Sequence, residues 1–345
     1  MNLNPVAAAF DSISFGPVIT AENLTMIPLL RNDSPLGTPG TRGTLGTQGT
    51  PGTPGTQYIV LDAALASGVA EITELSEGGS VPELKFVNRG PDPVLIIDGE
   101  ELVGAKQNRV VNLTILVAAH STLTIPVSCV EAGRWRARSR AFAAAPRTQY
   151  ASGRGKRMAQ VTLSMRDRGD HVSDQARVWA DIAAMSSRLQ TSSPTGAMEA
   201  LFDQHAAFID RCVEACRPVD GQIGALFSID GRVVGLDLFD RESTLRTLLP
   251  KLVRSVAVDA LDSHESADTF SAESPRPAPR RDRRGAAETA VPAAQQFLAA
   301  AGAAAQHVSP GVGVGEDVRL TTHAIAGAAL VANGAVVHLS AFAIG

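Results

Sequence analysis

Short apolar runs separated by turn residues place the strongest constraint on how this chain can fold. Between Tyr58 and Trp135, segments such as EITEL, ELKFVNRG and PVLIID alternate or run apolar, and GGSVP and GPDP separate them. Such runs, bounded by Gly and Pro, are typical of β-strands. The earlier stretch FGPVITAENLTMIPLL has the same character. We therefore predict that residues 10–135 form mostly antiparallel sheet.

The middle of the chain changes to a helical pattern. Apolar residues recur at helical spacing in three segments, the third of which contains Pro250 and is expected to kink there. The predicted helices are Asp170–Gln190, Ala197–Cys216 and Arg241–Leu261. Between the second and third, IGALFSIDGRVVGLDLF predicts a hairpin that turns at Asp230-Gly231.

The C-terminal part returns to strands after a short predicted helix, Thr289–Ala301. Three short strands are expected there, with a hairpin turn at Asn333-Gly334. Because three weak strands alone are marginally stable, we expect them to complete a sheet begun earlier. The prediction is an α+β fold: a sandwich-like, mostly antiparallel N-terminal half completed by C-terminal strands, with a helical middle section.

Two polar segments interrupt this pattern. From Gly37 to Gln57 the triplet Gly-Thr-x repeats seven times, and it cannot bury apolar surface. A second segment, HESADTFSAESPRPAPRRDRRGAA, is charged and rich in Pro. We predict one α+β domain over residues 10–345, interrupted by a disordered insertion at 34–57 and a disordered linker at 263–288.

Composition excludes several classes of protein. A net charge of −4 argues against a general nucleic-acid binder, which needs an excess of Lys and Arg. No apolar run approaches the roughly 18 residues of a membrane span, and the N-terminus does not resemble a signal peptide. Three scattered cysteines do not form a disulfide framework, which favours a cytoplasmic setting. The Ala, Arg and Gly usage is typical of a bacterial protein from a GC-rich genome.

The densest set of reactive groups is DGEELVGAKQNRVVNLTILVAAHSTLTIPVSCVEAGRW, from Asp98 to Trp135. If a strand begins at Gln107, this residue and Arg109 face one side, and Lys106 and Asn108 face the other. A polar cluster at the mouth of a buried strand is suited to ligand chemistry, although a surface salt-bridge patch is the alternative. The candidate catalytic residues are Glu100, Glu101, Lys106 and Glu131, and the candidate ligand contacts are Gln107, Asn108, Arg109, Asn112, Arg134 and Trp135.

Cys129 is a doubtful nucleophile. A thiolate forms readily only where its pKa is lowered, and Glu131 two residues away would oppose that. Inert packing is the favoured interpretation for Cys129. Trp135 beside Arg134 can instead stack on a planar ring, with a buried core tryptophan as the alternative.

Other motifs are weaker. His205, Cys212 and Cys216 share a predicted helix face, which indicates a core-facing stripe rather than zinc ligands, so no metal is predicted. GVGVGED lacks a following Lys-Ser/Thr and precedes a strand, which excludes a phosphate-binding P-loop. The basic segment 136–169 is predicted to be a solvated loop or a cover over a site. Further candidate ligand contacts from the C-terminal sheet are Asp317, Arg319 and His338, the last of which also fits a buried core histidine.

The strings GEELVGAKQNRVVN, IPVSCVEAGRW, GVGEDVRL, IAGAAL and VVHLSAF resemble a bacterial domain family. The family is named for its association with ADP-ribosylglycohydrolases and rhodanese-phosphatase superfamily proteins. The resemblance extends from Phe15 to Phe342, outside the Gly-Thr repeat and residues 264–287, and it implies a link by gene association to NAD or ADP-ribose metabolism. The motif positions are Glu100, Glu101, Gly104, Lys106, Gln107, Asn108, Arg109, Asn112, Cys129, Glu131, Arg134 and Trp135.

Two hypotheses of function follow. In the first, the domain processes or binds an ADP-ribose-like or other nucleotide-like molecule: Arg109 and Arg134 meet its anionic part, Trp135 stacks, and one of the acidic candidates performs acid–base chemistry. In the second, it is a non-enzymatic binding or scaffold module that docks to an ADP-ribosylglycohydrolase-type partner enzyme. The sequence names no cofactor.

Overall fold

The computed structural model describes residues 4–32, 57–76, 78–271 and 283–344, with backbone alone for 265–271 and 283–288. Among these residues, no helix combines the length and the apolar character that crossing a bilayer requires. The helices are α1 Pro5–Asp11, α2 Leu61–Ala66, α3 Ala151–Arg168, α4 Gln175–Arg188, α5 Glu199–Asp203, α6 Ala206–Ala215, α7 Glu242–Ser271 and α8 Arg283–Gly302.

The strands alternate with these helices along the chain. They are β1 Ile13–Phe15, β2 Ile19–Ala21, β3 Leu24–Arg31, β4 Ile59–Val60, β5 Ala70–Thr73, β6 Glu83–Asn88, β7 Val94–Ile96, β8 Glu100–Gly104, β9 Arg109–Val111, β10 Ile115–Val117, β11 Ser121–Cys129, β12 Phe142–Thr148, β13 Gln222–Ile229, β14 Arg232–Phe239, β15 Ala305–Pro310, β16 Glu316–Thr321, β17 Ile325–Ala332 and β18 Ala335–Ala343. The predicted α+β class is confirmed.

The largest sheet joins both ends of the chain. Its order is β1-β3-β13-β14-β18-β17-β16-β15, with β2 also on β3, and all its pairings are antiparallel. The C-terminal strands, four rather than the predicted three, therefore complete a sheet that the N-terminal strands begin. The hairpin β13–β14 stands between the two sets.

Helices cover both faces of this sheet. Met26 of β3 belongs to the same apolar cluster as Phe227 and Met158 of α3, whereas the next residue, Ile27, belongs to a second cluster with Phe297 of α8. Because successive strand residues point to opposite faces, a strand buried on both sides is apolar along its length. This explains the continuous apolar run of β3.

Two smaller sheets form the other part of the fold. The order β12-β8-β9-β11-β6-β5 gives six strands, and β10-β7-β4 gives three, with the β4–β7 pair parallel. They enclose a separate apolar core that includes Ile72, Phe86, Ile96, Val111 and Ile125. Long β11 pairs first with β6 and then with β9, which places the end of β11 beside the polar motif.

Both predicted dipeptide turns are present. Asp230 and Gly231 have φ of 50° and 79°, and Asn333 and Gly334 have φ of 53° and 76°. Positive φ at both central residues is the requirement of the tight hairpin turn that these residue types favour.

Residues 136–140 of the basic segment are exposed and irregular, as expected for a solvated loop, but most of the segment was predicted incorrectly. Residues 142–148 form β12 and residues 151–168 form α3, instead of a solvated loop. Arg154 and Arg157 of α3 are buried, at 1% exposure each. Charge density along the sequence does not reveal that distant carboxylates neutralise these arginines.

Other boundaries also differ from the prediction. The strand predicted from Gln107 divides into β9 and β10, the second predicted helix divides into α5 and α6, and α4 begins at Gln175. Pro250 lies within α7, which continues past Leu261 to Ser271, and α8 begins at Arg283, so both helices enter the predicted linker. Residues 272–282 and the repeat through residue 56 lie outside the described residues.

Candidate functional site

The polar motif from Asp98 to Trp135 passes through β8, β9, β10 and β11. Across the sheet, Leu102 and Cys129 pair with Arg109, whereas Glu101 pairs with Val110. Paired residues of antiparallel strands point to the same face and neighbours along a strand alternate, so Arg109 and Glu101 lie on opposite faces. The motif therefore divides between several separate groups of contacts.

The first group surrounds Trp135 and is called the Trp135 group. Its members are Glu74, Lys106, Gln107, Arg109, Cys129 and Trp135. Arg109 Nη1 donates to Gln107 Oε1 and to Cys129 Sγ, both at 2.8 Å. The Trp135 ring lies 5.6 Å from the Arg109 guanidinium carbon and 5.3 Å from Lys106 Nζ.

Arg109 is incompletely paired although it is fully buried. Within the described part of the chain, its Nε and Nη2 atoms have no hydrogen-bond partner, and neither has Glu74 Oε2. The nearest carboxylate oxygen, Glu74 Oε1, is 4.0 Å from Nη2. Since buried polar atoms are almost always paired, these two donors can accept a further partner, such as a water molecule or a ligand.

Trp135 forms the outer cover of this arginine. It is 48% exposed, whereas Arg109 is 0% exposed. Leu75 and Val81, which flank Glu74 and Gly79 in the chain, are also exposed apolar residues. Gly79 approaches both Lys106 and Trp135, at 3.1 and 3.4 Å from the position of a Cβ. Side chains at the protein surface, rather than residues of the apolar core, therefore cover the Trp135 group.

The turn between β8 and β9 explains the position of Lys106. Alternation predicted Lys106 beside Asn108, but Gly104 and Ala105 have φ of 131° and 38°, and β9 begins only at Arg109. A Cβ on Gly104 would lie 2.6 Å from Ser139 Oγ, so this turn requires glycine. The reversal sends Lys106 to the Trp135 side, where Nζ donates to the Gly78 carbonyl at 2.6 Å.

The Cys129 thiol is poorly suited to nucleophilic attack. Burial raises its pKa to about 11, an effect that the adjacent Arg109 only partly offsets. The thiol is therefore protonated at neutral pH and acts as an acceptor for Arg109.

The second group is called the Glu131 network and holds the β8–β9 turn. Glu131 accepts from the Asn108 backbone N–H at 3.2 Å, from Arg134 Nε at 2.8 Å and from the Thr195 hydroxyl at 2.8 Å. Burial raises the pKa of Glu131, but the hydrogen bonds from Arg134, Thr195 and Asn108 outweigh it and the net pKa is lowered. Glu131 is thus a fixed carboxylate.

Arg134 is fully used within the same network. It donates to the carbonyls of Gly104 and Ala105, at 3.3 and 2.6 Å, and to Asn108 Oδ1 at 3.1 Å. Its role in the structure is to fix the turn that carries Lys106, which leaves it little capacity for a ligand.

Glu101 belongs to a third group with residues that the sequence did not single out. Arg147 of β12 donates to Glu101 Oε2 at 2.5 Å and contacts Glu199 of α5 at 3.1 Å and Asp203 at 3.5 Å. Burial, with repulsion from Glu199 and Asp203, raises the pKa of Glu101 to about 7 against the attraction of Arg147. Glu101 Oε1 has no partner among the described residues. A raised pKa and an unpaired oxygen are properties that a carboxyl uses in proton transfer.

Glu100 and Asn112 lie apart from these groups. Glu100 accepts from Lys251 Nζ at 2.7 Å and from the Ile97 backbone N–H at 3.1 Å. Asn112 accepts from Ser128 at 2.6 Å and donates to the His171 carbonyl at 2.9 Å, which joins the β9–β10 turn to the α3–α4 connection. The contacts of Glu100 and Asn112 connect separate segments of the fold, which is a structural role.

The C-terminal candidates lie elsewhere again. His338 Nε2 is 3.0 Å from Asp237 Oδ1, and its Nδ1 is 2.8 Å from the Thr114 hydroxyl. Arg319 Nη2 donates to Asp317 Oδ2 at 2.6 Å on β16. His338 is thereby a paired interior histidine.

Asp98, Asp237 and His338 place three possible metal-ligand atoms within 4.8 Å of one another. However, Arg154 donates to both oxygens of Asp98, at 3.2 and 3.1 Å, and to both oxygens of Asp237, at 3.0 and 2.8 Å. Burial raises the pKa of Asp98, but the charges of Arg154, His338 and Arg157 hold it well below its usual range. A guanidinium therefore already fills the position that a cation would take, in what is called the Arg154 network.

Together these features define an α+β domain with three sheets and a polar surface site at the β8–β9 turn. Residues 12–342 match the family described as the ARG and Rhodanese-Phosphatase-superfamily-associated Protein domain, and the chain belongs to that family. Neither curated proteins nor solved structures provide a match.

Proposed function

We propose that the protein binds an anionic, nucleotide-like small molecule at the Trp135 group, with ADP-ribose as the leading candidate. The unpaired Nε and Nη2 of buried Arg109 carry this proposal. A guanidinium with two free donors suits the paired oxygens of a phosphate. Lys106 adds a second positive charge and Trp135 adds an aromatic face for a base or ribose. The family's name supports the choice of an ADP-ribose-related ligand.

Access to Arg109 requires a movement of Trp135. The guanidinium is covered, but its cover is a half-exposed indole held by cation–π contacts, which contribute about 0.5–1 kcal/mol each at exposed sites. A ligand that takes the place of the indole over Arg109, and stacks on a face of the displaced indole, would compensate for the lost cation–π contacts. Entry of the ligand should therefore change the environment of Trp135.

A non-enzymatic binding or docking module is the second candidate. It is favoured by the saturation of Glu131 and Arg134, whose hydrogen bonds support the turn and leave these two residues little capacity for chemistry on a ligand. Glu101, with its raised pKa, lies on the opposite face from Arg109. An enzymatic role would need a substrate that reaches Glu101 around the edge of the sheet. A partner enzyme of ADP-ribose metabolism remains part of this second proposal.

The test is calorimetric titration of the full chain with ADP-ribose, NAD, AMP and inorganic diphosphate. We expect saturable binding of ADP-ribose, and at least a tenfold weaker affinity in Arg109→Met. Arg188→Met is the matched control, because Arg188 forms a surface pair with Asp262. Equal affinity in Arg109→Met and the parent would remove the proposed site, and absence of binding by all four probes would remove the proposed ligand class. Phosphorus NMR of the titrated ADP-ribose distinguishes turnover from binding alone.

A further inference from the structure

A continuous chain of polar contacts connects the buried carboxyl of Glu101 with the turn that presents Lys106. Glu101 accepts a hydrogen bond from Arg147 Nε. Arg147 Nη2 lies 3.1 Å from Glu199 Oε1. The other oxygen of Glu199 accepts from Asn108 Nδ2 at 3.3 Å. Asn108 Oδ1 in turn accepts from the Gly104 N–H at 3.3 Å and from Arg134.

The charges around Glu101 are unevenly matched. β12 presents Arg147, and α5 presents Glu199 and Asp203; the neighbouring β9 residue, Val110, is apolar. Three carboxyl groups thus share one guanidinium. Glu101 is 0% exposed, while the side chains of Glu199 and Asp203 are 30% and 63% exposed. Loss of charge at Glu101 would leave Arg147 paired only with the two acids nearer to solvent.

We infer that Glu101 is a positioning residue whose protonation loosens the β8–β9 turn and weakens anion binding at the Trp135 group. This inference rests on the proposed function for its ligand, but not for its structural part. Ionised Glu101 anchors Arg147 at Nε and leaves Glu199 free to hold Asn108. Protonated Glu101 releases Arg147 toward Glu199 and Asp203, and Glu199 then turns away from Asn108.

The direction of the pH effect follows from linkage. Burial and the two neighbouring acids raise the pKa of Glu101 to about 7, so the group changes charge in the neutral range. The ligand binds more tightly to the ionised form, and the dissociation constant rises as pH falls through that range. One linked proton limits the change to about tenfold per pH unit.

The first experiment needs no ligand. The chain has two tryptophans, so Trp179→Phe leaves Trp135 as the only indole reporter. The indole N–H of Trp179 has no partner in the described residues, so this change removes no hydrogen bond there. We expect the emission of Trp135 to titrate with a midpoint near pH 7, and this transition to disappear in the added variants Glu101→Gln and Glu199→Gln. A transition that persists in both variants would overturn the inference.

The second experiment measures ADP-ribose affinity between pH 6 and 8.5. The diphosphate of ADP-ribose does not titrate in this pH range, so any pH dependence of the affinity comes from a group of the protein. We expect a severalfold loss of affinity toward pH 6 in the parent, and a flat, weakened profile in Glu101→Gln. Asp259→Asn is the matched control: burial raises the pKa of that carboxyl to about 6, but it contacts the start of α3 through the Ser152 N–H.

The control variant should retain the parent's pH profile. An unchanged slope in Glu101→Gln, or a parent affinity that is independent of pH, would overturn the linkage. If ADP-ribose does not bind at any pH, the proposed ligand fails, and the Trp135 titration still decides the role of Glu101.

Discussion

Arg109 and Arg154 are two arginines with the same degree of burial and opposite states of pairing. Every side-chain nitrogen of Arg154 donates to a carboxylate, from Asp98 on one side and Asp237 on the other. In Arg109, among the residues that the structure describes, Nη1 alone has hydrogen-bond partners, and both of them are neutral. Burial alone therefore does not show whether the donors of an arginine are satisfied within the protein, and the proposed ligand site rests on the second property.

The positions of the two arginines agree with this distinction. Asp98 follows β7 of the three-stranded sheet and Asp237 lies on β14 of the nine-stranded sheet, so Arg154 connects the two parts of the fold. A Cβ on Gly99, where φ is 82°, would lie 2.9 Å from the Arg154 side chain, so the chain there is shaped around this arginine. Arg109 lies at the end of β9, beneath a surface tryptophan.

The largest effect is expected from Arg154→Met. The change leaves Asp98 and Asp237 buried without their shared cation, which typically costs about 3–5 kcal/mol of the free energy of unfolding. Urea unfolding followed by circular dichroism measures it. Arg188→Met, at the surface pair with Asp262, should change the same quantity by less than about 1 kcal/mol. Equal losses in the two variants would contradict the assignment of Arg154 as a structural link.

The second prediction concerns Glu101, whose contribution to the free energy of unfolding should depend on pH, unlike that of the two arginines. Because burial raises its pKa from 4.5 to about 7, the folded state holds the proton more tightly than the unfolded chain. Its stabilising contribution is complete below pH 4.5 and is lost as pH rises to about 7. The stability of Glu101→Gln relative to the parent should therefore increase over this window, by up to about 1.4 kcal/mol per pH unit. Urea midpoints measured from pH 4.5 to 7.5 test this, and a constant difference would contradict it.

Arg109→Met should have a smaller effect on stability. It removes two unpaired buried donors along with the contacts to Gln107 and Cys129, so we expect a change within about 1 kcal/mol. The same urea experiment measures it, while ligand affinity falls as proposed above. A loss as large as that of Arg154→Met would show that Arg109 is a structural arginine and would remove the contrast.

The smallest effect is expected at the cysteines. Burial raises the pKa of Cys129, Cys212 and Cys216 to about 11, 11 and 12. The folded protein should show no alkylation by iodoacetamide at pH 8 within minutes, and the urea-unfolded chain should gain three adducts by mass spectrometry. Rapid modification of Cys129 in the folded protein would reopen its role as a nucleophile.

Local signals predicted local structure well. The Asp230-Gly231 and Asn333-Gly334 turns depend on the backbone preferences of the residues themselves. The fold class followed from many such signals together.

Partners distant in sequence could not be predicted in this way. Arg154 lies 56 residues from Asp98 and 83 from Asp237, so the basic segment resembled a solvated loop although the fold neutralises it. Arg147 and Glu199 join Glu101 only through the packing of β12 and α5. The position of Lys106 depends on a reversal at Gly104 and Ala105 that alternation does not foresee.

The order of the nine-stranded sheet has a consequence for biosynthesis. In β3, Leu24 pairs with Ile229 of β13, roughly 200 residues later in the chain. At the ordinary translation speed of about 5–20 residues per second, β3 leaves the ribosome roughly 10–40 s before its central partner exists. During that interval β3 can pair only with β1 and β2, and its other edge has no partner strand. The edge of β3 that later joins β13 therefore stays unpaired while the intervening residues are made.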